Sequence, residues 1–281
     1  MCLTLLTCVR FPSDSTPRQA MNTSTNSDNA RWMNPVLGAS SVCLFVGAWA
    51  ILSYARVVQP YFLPTPTAVF KEAIVLVQRE HYLGDITASL ARVLVAFVLC
   101  ALSAIPLGLL MGRFKPVAAF VTPFVVFMRY VPISAFIPLL ILWTGIGDFQ
   151  KVIFLWMGTF FFLVALIADA AASVGRELLD TAYTLGAQKR QMVRYVVLPA
   201  ALPGILDSLR VMMSVGWTYL VLAEIVAAES GIGYVIMESQ RFLKTPRVVV
   251  GILTVGIIGV GLDYLFRGMR TLFFPWTRPH A

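Results

Sequence analysis

Six stretches of this chain stay apolar for long enough to cross a hydrocarbon core, and they restrict what it can fold into more than any motif does. They are Val36 to Tyr54, Ala88 to Met111, Phe120 to Trp143, Val152 to Val174, Leu206 to Ala228 and Val248 to Phe266. About 20 residues of helix are needed to span a bilayer. In hydrocarbon every backbone N–H and C=O must be satisfied without water, so open sheets are excluded and such runs are helices. Composition agrees, with 58% hydrophobic and 13% charged residues, against roughly 25% charged in soluble domains. The expectation is an all-α polytopic membrane protein with six transmembrane helices, its transmembrane domain covering residues 36–273.

The four cysteines, Cys2, Cys8, Cys43 and Cys100, form no close pair and no metal-ligand spacing, so neither a disulfide framework nor a metal site is indicated. Cys43 and Cys100 read as buried small apolar residues. Residues 1–30 are rich in Ser, Thr, Asn and Asp without apolar periodicity and are expected to be a disordered cytoplasmic tail. Met1, Met21 and Met33 are alternative starts. Met1 to Val9 is too brief for a secretory signal and lacks a preceding basic region, so the first helix is expected to be an uncleaved anchor.

An even number of helices puts both termini on one side, where Lys and Arg should be in excess. On that side lie Arg10, Arg18, Arg31, Arg113, Lys115, Arg176, Lys189, Arg190, Arg194, Arg267, Arg270 and Arg278; opposite are Arg56, Lys71, Arg79, Lys151, Arg241, Lys244 and Arg247. Both termini and the long loop over residues 175–203 are therefore assigned to the cytoplasm of an inner, cytoplasmic membrane. The formal charge of +8 is then an orientation signal and a contact with anionic membrane lipid. No aromatic-interleaved basic segment accompanies it, so no nucleic acid is expected as a partner.

Two external segments are patterned. In Gln59-Pro60-Tyr61-Phe62-Leu63-Pro64-Thr65-Pro66-Thr67 the prolines hold the chain extended, and Thr67 is placed to cap a short amphipathic helix on the membrane surface. In Ser230-Gly231-Ile232-Gly233-Tyr234 two glycines allow a tight turn. Each is either a plain connector or a contact for an external partner.

The cytoplasmic loop is more ordered than a connector needs to be. Leu178, Ala182 and Leu185 are helix-spaced, and Gly186 stands where a left-handed cap would end that helix. A second short helix over Gln188 to Val197 places Met192, Val193, Val196 and Val197 on one side; Pro199 is expected to stop it and Pro203 to open the next membrane helix. Small residues at Ala182 and Gly186 let another protein approach the tip closely.

These residues resemble the EAA motif of importer-type ABC transporter permeases: Glu-Ala-Ala, three residues, Gly, nine residues, Ile, one residue, Leu-Pro. Asp180, Thr181 and Ala182 fall on the first three positions, Gly186 on the glycine, Val196 on the isoleucine, and Leu198 and Pro199 on the final pair. Asp and Val keep charge and shape, whereas Thr181 adds a hydroxyl. The resemblance runs from about Asp85 to Trp276, with a permease core at about 85–270. Segments such as Pro138 to Gly147, Val196 to Ile205 and Glu229 to Tyr234 look like permeases for nitrate, aliphatic sulfonate and taurine import.

The resemblance implies the type I importer permease fold, six helices per subunit and a homodimer formed with a second permease copy. It implies two copies of a cytoplasmic ABC ATPase subunit, and a periplasmic or lipid-anchored solute-binding protein that delivers a small, anionic solute for import. Glu177 to Leu185 would be the coupling helix and Gly186 its turn, so Glu177, Asp180, Thr181, Ala182, Gly186, Leu198 and Pro199 would form the ATPase-coupling loop. ATP and Mg would be bound by the ATPase, with no cofactor in this chain. Independently, a phosphate-binding loop needs Gly-Lys-Ser/Thr, and Lys71, Lys115, Lys151, Lys189 and Lys244 never follow glycine. The chain is thus not the ATPase, and no enzyme activity is expected, since a membrane-embedded enzyme would need a catalytic cluster and the only histidines, His81 and His280, lie in a loop and the tail. The alternative is a secondary transporter or channel without an ATPase partner, which should show repeated halves; no convincing internal repeat is present.

Charges in apolar runs mark pathways or interior pairs. Asp169, Glu224, Arg92 and Asp263 lie within a turn or two of an interface and read first as interior ion pairs or snorkelling anchors. Arg129 precedes Tyr130-Val131-Pro132, with Pro138 beyond, so the third helix should be bent or broken near mid-depth, as happens only against protein or a water-filled cavity. Arg129, Ser134 and Thr159, with Phe160, Phe161 and Phe162 and with Trp217 and Tyr219, are the candidate translocation pathway. The competing reading has Arg129 satisfying carbonyls freed by Pro132.

Overall fold

The structure is a computed structural model that describes residues 27–79, 81–227 and 229–275. The expected tail up to residue 26, with Cys2, Cys8, Arg10 and Arg18, lies outside the described residues, as do Arg278 and His280. Helix α1 runs over Ser27–Tyr54, so it begins inside the stretch read as tail. By itself α1 is an apolar rod whose Ser40 and Ser41 hydroxyls donate to the carbonyls of Leu37 and Gly38 at 2.9 and 2.8 Å. Cys43 on it is exposed, not buried as expected, while Cys100 is buried.

From Leu52 onward the chain forms a second unit. It comprises α2 (Pro66–Arg79), α3 (Tyr82–Arg113), α4 (Lys115–Tyr130), a 3-10 turn (Ile133–Phe136), α5 (Ile137–Thr144), α6 (Asp148–Ala172), α7 (Arg176–Thr184), α8 (Lys189–Met192), a π-helical turn (Val193–Val197), α9 (Leu198–Ala227), α10 (Ile232–Arg241) and α11 (Thr245–Phe273). The spans are the apolar part of α1, then α3, α6, α9 and α11, with α4 and α5 together making a sixth that bends by 84°. The break falls at Val131 and Pro132, where the sequence places it: Pro132 supplies no N–H to continue the ladder, and Ala135 N–H starts the next turn on the Pro132 carbonyl at 2.9 Å.

The centre of the unit is α3 against α6. They run in the same direction, with Arg92 beside Asp148, Ser103 beside Trp156 and Gly108 beside Ile167. Parallel neighbours need a returning connection, and the bent α4–α5 pair supplies it. Within hydrocarbon no hydrophobic force drives helices together, so small residues and interhelical hydrogen bonds do the work. A Cβ on Gly108 would stand 2.7 Å from the Ile167 Cβ, and the Trp156 indole donates to the Ser103 hydroxyl at 3.0 Å. α9 lies antiparallel on α6, where Gly158 receives the Tyr219 ring at 2.8 Å from its would-be Cβ. α11 is tied to α9 by Arg210–Asp263 and Arg270–Asp207 ion pairs.

Two expectations about local signals change. Thr65, not Thr67, caps α2: the Ala68 N–H donates to the Thr65 hydroxyl at 3.3 Å. Proline favours the first helical position, so Pro66 makes the residue before it the cap, and Thr67 instead accepts from the Tyr54 hydroxyl at 3.0 Å. Pro199 does not stop the second loop helix. The π turn at Val193–Val197 sends the Leu198 N–H to the Val193 carbonyl, five residues back, and this wider turn leaves room for the proline ring that a regular helix would press against a carbonyl. The polar loop therefore rises into the membrane as one helical run from Lys189 to Val226.

Gly108→Leu should wedge α3 from α6, costing about 1–3 kcal/mol as overpacking does. A lower thermal unfolding midpoint in detergent is expected, with Gly84→Leu, whose Cβ meets nothing within 4 Å, as the unaffected comparison.

Candidate functional site

At one end of the bundle α7 is closed by its own backbone. Gly186 N–H donates to the Tyr183 carbonyl and Ala187 N–H to the Ala182 carbonyl, both at 3.0 Å, which is the paired bonding of a Schellman cap. Gly186 has φ +78°, a conformation costly to residues with a Cβ. The Thr181 hydroxyl, foreign to the motif, is absorbed inside the helix by donating to the Glu177 carbonyl at 2.7 Å. After the turn, Gln188 N–H donates to the Gln191 side chain at 2.9 Å and starts α8.

The buried side of this helix–turn–helix is narrower than the sequence pattern suggests. Ala182, Met192 and Val197 are buried, and Leu179 and Leu198 pack on the same cluster. Leu178 and Leu185, assigned to that face by spacing, are 54% and 83% exposed. Tyr183 and Tyr195 are exposed too, and the Arg194 guanidinium lies 5.7 Å from the Tyr195 ring centroid. Glu177, Asp180 and Pro199 are exposed among them. The tip thus offers leucine and tyrosine side chains ringed by charge, the make-up of a protein-docking patch. Spacing alone identified the loop but not Tyr183 and Tyr195.

The candidate pathway residues are only partly brought together. The Arg129 guanidinium lies 5.0 Å from the Phe162 ring centroid, and Phe161 packs edge-on against Phe124 and Phe160 at 5.8 and 5.2 Å. Arg129 and Ser134 are exposed on the two sides of the α4–α5 break. Among the described residues Arg129 makes no hydrogen bond to the carbonyls near Pro132. Thr159 is buried and donates to the Leu155 carbonyl at 2.8 Å and the Cys100 sulfur at 3.3 Å. Trp217 is also buried, and Tyr219 packs edge-on against Phe154 at 5.9 Å. Thr159 and Trp217 therefore sit inside the subunit, whereas Arg129 and Ser134 face outward from it.

The opposite end of the bundle holds a buried ionic network. Arg92 donates to Glu224 and Asp148 at 2.7 Å each, and to the Ser230 carbonyl and hydroxyl at 2.8 Å. The Glu224 side chain is fully buried and also accepts from Ser89 at 2.8 Å and from Gly233 N–H at 2.8 Å. Asp85 accepts from Gly231 N–H at 2.8 Å, so two carboxylates meet the positive end of α10. Gly231, at φ +116°, lies so close that a Cβ would overlap the Glu224 carboxylate. The interior-pair reading of Arg92 and Glu224 holds, whereas Asp263 pairs with Arg210 and Arg267 at a partly exposed position. Asp85, Ser89 and Arg92 share one helical face by spacing, a signal that could have linked them from sequence. Arg247 at the start of α11 pairs with Glu72 of α2.

The profile of the family described as binding-protein-dependent transport system inner membrane component matches residues 104–279. A protein of Brucella melitensis biotype 1, named a probable ABC transporter permease protein, is 34% identical over 88% of this chain and 100% of its own length. The taurine transport system permease protein TauC of Escherichia coli K12 is 29% identical over 91% of this chain and 97% of its own. An inward-facing structure of the MetNI methionine ABC transporter matches 66% of this chain and 95% of that one, with a TM-score of 0.58 and 21% identity. The last shows the fold. The chain belongs to the binding-protein-dependent transport system inner membrane component family, and it is an ABC importer permease rather than an enzyme.

Arg92→Leu should leave Glu224 charged and unpaired in the interior, at a cost of about 3–5 kcal/mol. Thermal unfolding of the double variant Arg92→Leu/Glu224→Leu is expected to recover much of that loss, because no buried charge is then stranded.

Proposed function

We propose that this permease imports a small anionic organic solute, taurine-like or sulfonate-like, received from a separate binding protein and driven by two copies of a cytoplasmic ATPase subunit that bind ATP and Mg. The permease acts as a homodimer, with both termini and the α7–Gly186 tip on the cytoplasmic side. The observation that carries this reading is the tip itself: a helix closed by Gly186 that leaves Leu178, Tyr183 and Leu185 exposed beside Glu177 and Asp180. When ATP draws the two ATPase subunits together, the paired tips follow. Because α8, the π turn and α9 form one helical run, displacement at the tip is delivered directly to a membrane helix, and the bundle rocks between inward-open and outward-open states.

The substrate class is supported by the name of the taurine permease relative and by Arg129. Its charge is exposed beside a broken helix, where a partly hydrated anion would be favoured over a cation. Ser134 lies across the break as a neutral hydrogen-bonding partner. Phe162 lies against the Arg129 guanidinium and Phe161 against Phe124 of the same helix as Arg129, whereas Thr159, Trp217 and Tyr219 pack within the subunit.

Gly186→Asp and Leu185→Glu are expected to keep the bundle folded, since Leu185 is exposed and the left-handed conformation at Gly186 costs Asp only about 1–2 kcal/mol with nothing within 4 Å of its Cβ, while the ATPase no longer co-purifies and uptake is lost. Normal uptake by Gly186→Asp would overturn the coupling assignment. Arg129→Ala should lower uptake of an anionic sulfonate by about tenfold, the worth of one charge-assisted contact, with ATPase co-purification unchanged. Equal uptake by the variant and the parent would remove Arg129 from the pathway.

A further inference from the structure

A second surface of the bundle has the shape and charge of a lipid site, at the end opposite the Gly186 tip. Below the Arg92 network α3 and α6 flank a groove of about 810 Å³. Ala88, Val95 and Leu99 line one wall, and Phe149 and Val152 the other. The wall residues on α3 recur at helical spacing from 88 to 103, about 22 Å at about 1.5 Å per residue, faced over about 12 Å by residues 148–156 of α6. The α3 wall has the reach of one extended acyl chain, somewhat more than half the roughly 30 Å hydrocarbon core. The Trp156–Ser103 hydrogen bond closes its floor, and the close approach at Gly108 ends it beyond.

The mouth has one accessible charge. Arg92 and Lys151 beside it are 6% and 3% exposed, whereas the Asp148 side chain is 71% exposed. Two cations therefore hold the Asp148 carboxylate in place from behind, with Arg92 at 2.7 Å and Lys151 at 3.7 Å, and the face turned to the membrane interface is an anion. An anionic headgroup would be repelled there. A quaternary ammonium could approach but donates no hydrogen bond, while a primary ammonium can both pair and donate. We propose that this groove binds one acyl chain of a phospholipid whose headgroup carries a primary ammonium, with the ammonium on Asp148 and the chain along α3 and α6. The occupant fills the groove that the two helices flank below the Arg92–Asp148 pair. This goes beyond the transport reading and does not depend on it.

The test uses the full-length permease in nanodiscs containing equal phosphatidylethanolamine, phosphatidylcholine and phosphatidylglycerol, with retained lipid counted by native mass spectrometry. About threefold preferential retention of phosphatidylethanolamine is expected, the worth of one exposed ion pair, and Asp148→Asn should abolish the preference. Ala91→Phe, which fills the groove from an exposed position and leaves Asp148 in place, should lower retention of all three lipids. A photo-crosslinking residue at position 91 should yield a phosphatidylethanolamine adduct. Equal retention of the three lipids by the parent, retention unchanged in Ala91→Phe, or a covalent protein dimer from position 91 would each overturn the proposal, the last by showing that a second copy covers the groove.

Discussion

The close parallel packing of α3 on α6 is the constraint from which the rest of the unit follows. Without water to drive association, two apolar helices stay together through short contacts and shared hydrogen bonds, and here Gly108 and Gly112 bring the α3 backbone onto Ile167, Ala168 and Ala171. Because the two helices point the same way, the chain must cross back between them. The crossing is the α4–α5 segment, bent by 84°, and the bend exposes Arg129 and Ser134 on the surface of the subunit. The exposed part of the candidate pathway, Arg129 and Ser134, is thus a consequence of how two helices that do not contain those two residues are packed.

The two ends of the bundle solve the problem of polar groups differently. At the Arg92 end charge is buried and cross-connected: one guanidinium holds α3, α6, the start of α10 and the end of α9 together through Asp148, Ser230 and Glu224. Such a cluster is costly to bury and more costly to break, so it makes that end a rigid block. At the Gly186 end α7 buries little beyond Leu179 and Ala182 and satisfies its helix end through backbone bonds alone. The bundle thus has a cross-linked block at one end and a self-capped helix with little buried surface at the other.

Much of this was legible in the chain of residues. Apolar run length located the six spans, Pro132 located the break, and Gly186 located the turn, because each depends on backbone chemistry within a few positions. The failures were local competitions or matters of environment. Thr65 displaced Thr67 because Pro66 takes the first helical position. Pro199 was overridden by a π turn that periodicity cannot reveal, since one extra residue per turn leaves the apolar pattern nearly intact. Leu178 and Leu185 are helix-spaced with Ala182 yet exposed where Ala182 is buried, because spacing defines a face without saying what covers it.

The sequence by itself determined that this is a helical membrane protein, where its helices bend and cap, and which loop carries the coupling motif, since these follow from hydropathy, proline and glycine stereochemistry over short range. Only the tertiary structure decided that Arg92 pairs with Glu224 and Arg210 with Asp263, that Thr159 and Trp217 turn inward while Arg129 and Ser134 turn outward, and that Asp148 is left exposed at the head of a groove. Those outcomes depend on which helix stands beside which and at what depth. A helical period repeats along one chain axis and carries no record of the neighbour that its side chains will meet.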